Sequence, residues 1–130
     1  MNTQDLNGSF LTTLSAVSQA GRAVDEFLRD VPFARTSLES VTYELLDLRA
    51  LLERLLDEAI IPVVLHAPIL SLTAACRLVL ARIDAVLADD GDAPRSGQWA
   101  SGAKEEIRGL NSGLQMCRRA LRLAREVVNL

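Results

Sequence analysis

Apolar residues recur along four stretches of this chain at alternating spacings of three and four residues. The stretches cover residues 10–28, 38–59, 69–86 and 103–128. A helix turns once every 3.6 residues, so each series falls on one side of an α-helix. A repeat near 3.5 is typical of helices that cross at a shallow angle. Because short breaks separate the stretches, the pattern predicts an all-α fold, an antiparallel four-helix bundle.

Proline and capping residues place the ends of the first two predicted helices. The first helix is expected to begin near Ser9 and to end before Pro32, because the residue that precedes proline avoids helical geometry. Thr36 and Glu39 have the spacing of a capping box, which predicts the start of the second helix.

The segments between the later helices differ in polarity. Residues Ile60 to Ala67 are almost all apolar, and we expect a short helical turn or a plug at one end of the bundle. Residues 89–98 are rich in acids and turn formers and predict a linker before the last helix. A chain of 130 residues suffices for one core, so the prediction is a single domain over residues 1–130.

Composition argues against catalysis. The chain has one histidine, His66, and two cysteines, Cys76 and Cys117, which fall on the apolar sides of the third and fourth helices and are interpreted as core residues. We find no metal-ligand spacing, phosphate-binding loop or nucleophile motif. The prediction is therefore a protein that is not an enzyme and binds no metal or cofactor. The chain has few cysteines, and its first residues, Met1 to Gly8, lack the basic and apolar sections of a secretion signal. Both features favour the cytoplasm.

The first helix contains sixteen consecutive uncharged residues, Leu6 to Gly21. Many are small, which permits close approach to another helix within the bundle or in lipid. Thr13 is expected to lie off the apolar side. A packed helix and a membrane-active helix are both consistent with this run. The candidate membrane-active residues are Phe10, Leu11, Leu14, Val17, Ala20 and Gly21.

The last helix is basic in a chain with a net charge of -3. Four of its arginines are expected on its outward side, where they either are solvated or contact an anionic membrane. These candidate anion-contacting residues are Arg108, Arg118, Arg122 and Arg125. No aromatic residues alternate with them, so nucleic acid is not an expected partner.

The order of these features resembles a known family. An uncharged helix leads into the segment Val24–Val31, a leucine-rich helix covers residues 38–55, and Cys76 lies in the third helix. An acidic linker and Trp99 then precede the last helix. This order is similar to that of the HeLo-like family, the fungal N-terminal domain of STAND proteins.

The resemblance implies an all-α signalling or effector domain at the front of a fungal NLR-like receptor, in regulated cell death or incompatibility. It implies self-association, recruitment from the cytoplasm to the plasma membrane on activation, and exposure of the first helix. The parent protein would carry a nucleotide-binding domain with repeats, or an amyloid signalling motif. The alternative is a non-toxic adaptor that holds protein partners.

Overall fold

The structure, a computed structural model, describes residues 3–58, 60–88 and 94–130. Four long helices account for most of these residues. No strand occurs in these ranges, and the predicted all-α fold with four long helices is confirmed. Short 3-10 turns at Pro32–Ala34 and Val63–Leu65 precede the second and third helices. The helices are α1 (Thr3–Asp30), α2 (Arg35–Asp57), α3 (His66–Leu87), the single turn α4 (Arg95–Gln98) and α5 (Lys104–Val128).

The helix ends differ in part from the prediction. Helix α1 ends before Pro32 as expected, but it begins at Thr3, so Ser9 lies inside it. The predicted capping box is wrong, because the 3-10 turn leads directly into α2 and Ala34 precedes the helix without a side-chain cap. Of the predicted linker 89–98, residues 89–93 lie outside the described residues, and α4 occupies Arg95–Gln98.

Helix contacts define a square in which α1 and α5 each pack on both α2 and α3. Ser9 contacts Thr73 and Thr13 contacts Arg77, so α1 and α3 run in the same direction. Helix α5 runs opposite to α3, since Arg82 pairs with Glu106 and Val79 approaches Gly113. The consecutive helices α2 and α3 therefore lie on a diagonal of the square.

The connection between α2 and α3 crosses one end of the bundle. Ile61 and His66 are buried there, and His66 Nε2 donates a hydrogen bond to the Ile61 carbonyl oxygen at 2.9 Å. Ile60, Val63 and Val64 are instead 81%, 76% and 78% exposed. The apolar segment forms the helical turn that we expected, but only part of it closes the end of the bundle.

The core is aliphatic, with three aromatic side chains near its ends. Phe27 and Trp99 pack with ring centroids 5.5 Å apart. Trp99 lies in a π-helical segment, Trp99–Ala103, where Gly102 has a φ of 151° and bends the chain into α5. The apolar spacing of the last three stretches predicts one shared core, and most of the leucine and isoleucine residues at these positions are buried, whereas Val79 and Leu110 are partly buried against the core. The buried residues include Leu45, Leu48, Leu52, Leu55, Ile83, Leu114 and Leu121.

Candidate functional site

The uncharged run of α1 packs mostly into the bundle. Phe10, Val17 and Ala20 are buried in the core, while Leu14 and Gly21 are partly buried. Only Leu11 of the six candidate membrane-active residues is exposed. In the folded bundle these side chains therefore hold α1 against its neighbours.

A cluster of hydroxyl groups fixes α1 to α3. Thr13 is fully buried, so the expectation that it lies off the packed side is wrong. Arg77 Nη1 donates to Thr13 Oγ1 at 2.9 Å and to Ser9 Oγ at 3.1 Å. The hydroxyl groups of Ser9 and Thr73 also share a hydrogen bond. These polar residues of α1 bind a cation of α3 within the protein.

Three of the four candidate anion-contacting arginines pair with carboxylates of the chain. Arg118 donates from Nε to Glu44 Oε2 at 2.6 Å, and both side chains are only about one-tenth exposed. The prediction that Arg118 faces outward is therefore wrong. The hydrogen bond that Arg118 donates to Glu44 raises the pKa of Arg118.

The other three arginines have different surroundings. Arg125 lies 3.4 Å from Glu58, and Arg108 lies 3.1 Å from Glu105. Arg122 is exposed and makes no ion pair within the described residues. The four candidate arginines therefore do not form a free cationic surface, because carboxylates of the chain pair with three of them.

A groove of about 310 Å³ lies between α1 and α2. Val17 and Leu45 line it, and Gly21 leaves it open because no atom lies within 4 Å of the position that a Cβ would take. Arg22 and Arg49 also line the groove. Both apolar and charged side chains therefore line this groove.

The outward side of α3 is almost without charge. Leu78 is 75% exposed there, with Ala74, Ala75 and Ala81 at helical spacing around it and Arg82 one turn later. The segment Val63–Leu87 is long and apolar enough to cross a membrane, judged by length and composition alone. Core helices of soluble proteins share both properties. The exposed row is Ala67, Ser71, Ala74, Leu78, Ala81 and Ala85.

Helix α5 extends this apolar surface. Gly113 approaches Val79 of α3, which marks the side of α5 that packs on α3. Met116 and Leu123 lie three and ten residues after Gly113, a spacing that places them next to that side of α5. Their side chains are 71% and 62% exposed. We call this surface the α3–α5 face. It comprises Ser71, Ala74, Ala75, Leu78, Met116, Leu123 and Val127.

Sequence analysis missed the α3–α5 face. The signal was present in the third stretch, because alanine, serine and leucine cover the side of α3 opposite Ile69 and Ile83. A helix that is apolar on all sides needs a partner on each side or lies at an interface. In the described part of the chain, the outward side of α3 has no such partner.

The two cysteines meet between α3 and α5. Cys76 is fully buried and Cys117 is partly exposed, and both are free thiols. Their side chains share a hydrogen bond, which raises the pKa of Cys76 and lowers the pKa of Cys117 to about 7. Burial raises the pKa of Cys76 further. Cys117 is therefore the thiol that ionises first.

Comparisons with known proteins identify no relative. No family model, curated protein or solved structure matches this chain. Within the described residues, no group of three or more histidine, cysteine or acidic side chains could hold a metal ion. The function must therefore be argued from the surfaces of the bundle.

Proposed function

We propose that this domain is a self-associating interaction module and that two copies meet through the α3–α5 face. The observation that supports this is the exposure of Leu78, Met116 and Leu123 on one side of the bundle. Isolated exposed apolar residues are ordinary on a protein surface, but a continuous apolar patch marks a contact site. The Arg82–Glu106 ion pair lies at one end of the patch, and the exposed Arg119, at helical spacing from both Met116 and Leu123, borders it on α5.

The spacing of the α3 row favours a second copy as the partner. The row at residues 67, 71, 74, 78, 81 and 85 has spacings of four, three, four, three and four, which are the same in both directions. A two-fold axis near the middle of α3 would place Leu78 of each copy beside Ala74 of the other. The large side chain would then occupy the space that the small one leaves.

The whole side of the bundle formed by α3 and α5 sets the largest contact that a dimer could use. Helix α3 has 22 residues, which gives a length of roughly 33 Å at 1.5 Å per residue. Two adjacent helices are about 20 Å wide. This side then measures roughly 650 Å² per copy, and a dimer that covers all of it would bury about 1,300 Å², at the lower end of specific interfaces.

We further propose that self-association serves signalling. The resemblance to the HeLo-like family supports this, since it implies an effector or signalling domain of a fungal NLR-like receptor whose activation requires assembly. In that context the α3–α5 face would be a contact between receptors. The alternative adaptor would use the same face for a different helical protein, and the oligomeric state separates the two.

Analytical ultracentrifugation of the purified domain tests self-association. We expect a reversible dimer, and we expect Leu78→Glu or Met116→Glu to produce a monomer, because each places a charge in the apolar contact. Leu46→Glu is the matched control, since Leu46 is 55% exposed on α2 outside this face. A wild-type protein that stays monomeric at high concentration would refute self-association and favour the adaptor.

Membrane association is a second candidate function, and the bundle end carrying Ile60, Val63 and Val64 favours it. Exposed aliphatic side chains on a turn can enter the headgroup boundary of a bilayer without release of α1. Co-sedimentation with phosphatidylserine vesicles tests this candidate. Binding should be lost in a Val63→Asp/Val64→Asp double variant and kept in Leu46→Asp, and equal sedimentation of all three proteins would contradict a role for this end.

A further inference from the structure

Two thiols face each other where α3 and α5 approach closely. Cys76 lies three residues before Val79 on α3, and Cys117 lies four residues after Gly113 on the antiparallel helix α5, so the register places the two thiols beside each other. Each thiol also shifts the pKa of the other. Near this pair, Val79 Cγ2 lies 3.4 Å from the position that a Cβ at Gly113 would occupy. Helices α3 and α5 therefore approach closely about one turn away from the two cysteines. No other cysteine exists in the chain, so these two thiols can pair only with each other or with another molecule.

The two thiols differ in access. Cys76 is completely enclosed by the core, whereas Cys117 is partly exposed to solvent at the edge of the α3–α5 contact. An oxidant in solution therefore meets Cys117 first. The hydrogen bond from the Cys76 thiol stabilises the Cys117 thiolate, and the thiolate is the nucleophilic form of cysteine.

We propose that Cys76 and Cys117 form an oxidisable thiol pair, in which Cys117 reacts first with a peroxide and Cys76 resolves the product to a disulfide. The pair is a modification site within one chain. Its product would join α3 covalently to α5, and this proposal does not depend on the proposed function.

The chemistry balances with hydrogen peroxide as the oxidant. The Cys117 thiolate attacks one peroxide oxygen, the O–O bond breaks, and Cys117 becomes a sulfenic acid while the second oxygen leaves as hydroxide and takes up a proton as water. The Cys76 sulfur then attacks the sulfenic sulfur, the S–O bond breaks, and the hydroxyl leaves with the Cys76 proton as a second water. The two cysteines lose two electrons in total, and the peroxide gains them.

Disulfide formation requires a small rearrangement. An S–S bond is about 2.05 Å long, shorter than a hydrogen-bonded contact between thiols. The side chains must rotate or the helices must move together to close this gap. Gly113 leaves room for such a movement, since the neighbouring Val79 side chain is the only group within 4 Å of its missing Cβ.

Hydrogen peroxide treatment of the folded domain tests the pair. Intact-protein mass spectrometry should show the loss of two hydrogens, peptide mapping without reductant should show residue 76 linked to residue 117, and dithiothreitol should reverse both. Cys76→Ala should stop the reaction at the sulfenic acid of Cys117, which dimedone traps. Cys117→Ser should slow the oxidation of Cys76 by about tenfold or more, because the buried thiol is neither ionised nor accessible.

Two results would overturn the proposal. One is a wild-type protein that keeps both thiols reduced under conditions that oxidise the unfolded chain. The other is an intermolecular disulfide as the main product. Circular dichroism of each variant establishes that it is folded, and because Cys117 is only partly buried, Cys117→Ser keeps the test valid if Cys76→Ala does not fold.

Discussion

The ion pair between Glu44 and Arg118 predicts a large and specific loss of stability in Arg118→Met. Methionine keeps much of the arginine volume but leaves the Glu44 carboxylate, which is 9% exposed, without its two hydrogen bonds. Removal of one partner of a buried pair costs about 3–5 kcal/mol. Both side chains remain about one-tenth exposed, so water partly solvates the charge that is left unpaired. We therefore expect the free energy of unfolding to fall by a smaller amount, roughly 2–4 kcal/mol.

Chemical denaturation followed by circular dichroism measures this loss, and the neighbouring Arg119 provides the control. Arg119 is exposed, so Arg119→Met should change the free energy of unfolding by no more than about 0.5 kcal/mol. The double variant Glu44→Leu/Arg118→Met should recover most of the stability, because it leaves no unpaired charge. Equal effects of Arg118→Met and Arg119→Met would refute the assignment of a buried pair.

Three further predictions concern packing, backbone and thiol chemistry. Leu114→Ala should lower the free energy of unfolding by about 2–5 kcal/mol in the same assay, since Leu114 is fully buried. Gly102→Ala should lower the free energy of unfolding by about 1 kcal/mol or more, because residue 102 has a φ of 151°. Gly109→Ala should raise it by about 0.5–1 kcal/mol, because residue 109 lies within α5 with no atom near its missing Cβ. Equal changes in the two variants would contradict this prediction. The rate of alkylation of Cys117 should rise as the pH passes about 7, the pKa of this thiol. In Cys76→Ala the same rise should occur at a higher pH, because the side chain that lowers the pKa of Cys117 is absent.

The helices were predictable from sequence because their signals are local. Apolar spacing places residues such as Leu48, Leu52 and Ile83 on the packed side of their helices regardless of which neighbour covers them. Pro32 also fixes the end of α1 through its own geometry. The predicted capping box is wrong because the 3-10 turn Pro32–Ala34 runs directly into α2, so Thr36 lies inside the helix instead of at its start. The spacing of Thr36 and Glu39 alone does not reveal such a turn.

The surfaces were less predictable because they depend on which helices are neighbours. Arg118 and Arg119 are adjacent in sequence, yet one pairs with Glu44 in a nearly dry contact and the other is exposed. Only the position of α2 beside α5 decides this difference. Likewise, Leu78 is apolar and lies in an apolar helix, but its exposure follows from the diagonal arrangement of α2 and α3, which leaves the outward side of α3 uncovered.

The polar residues of α1 illustrate how this arrangement bears on function. In the folded bundle Ser9 and Thr13 bind the guanidinium group of Arg77. Release of α1 would remove these acceptors from Arg77 and would also expose Phe10 and Val17. Both losses oppose release, so activation through α1 would require a compensating contact elsewhere. Self-association through the α3–α5 face requires no such release, and for this reason it is the function that the folded bundle supports best.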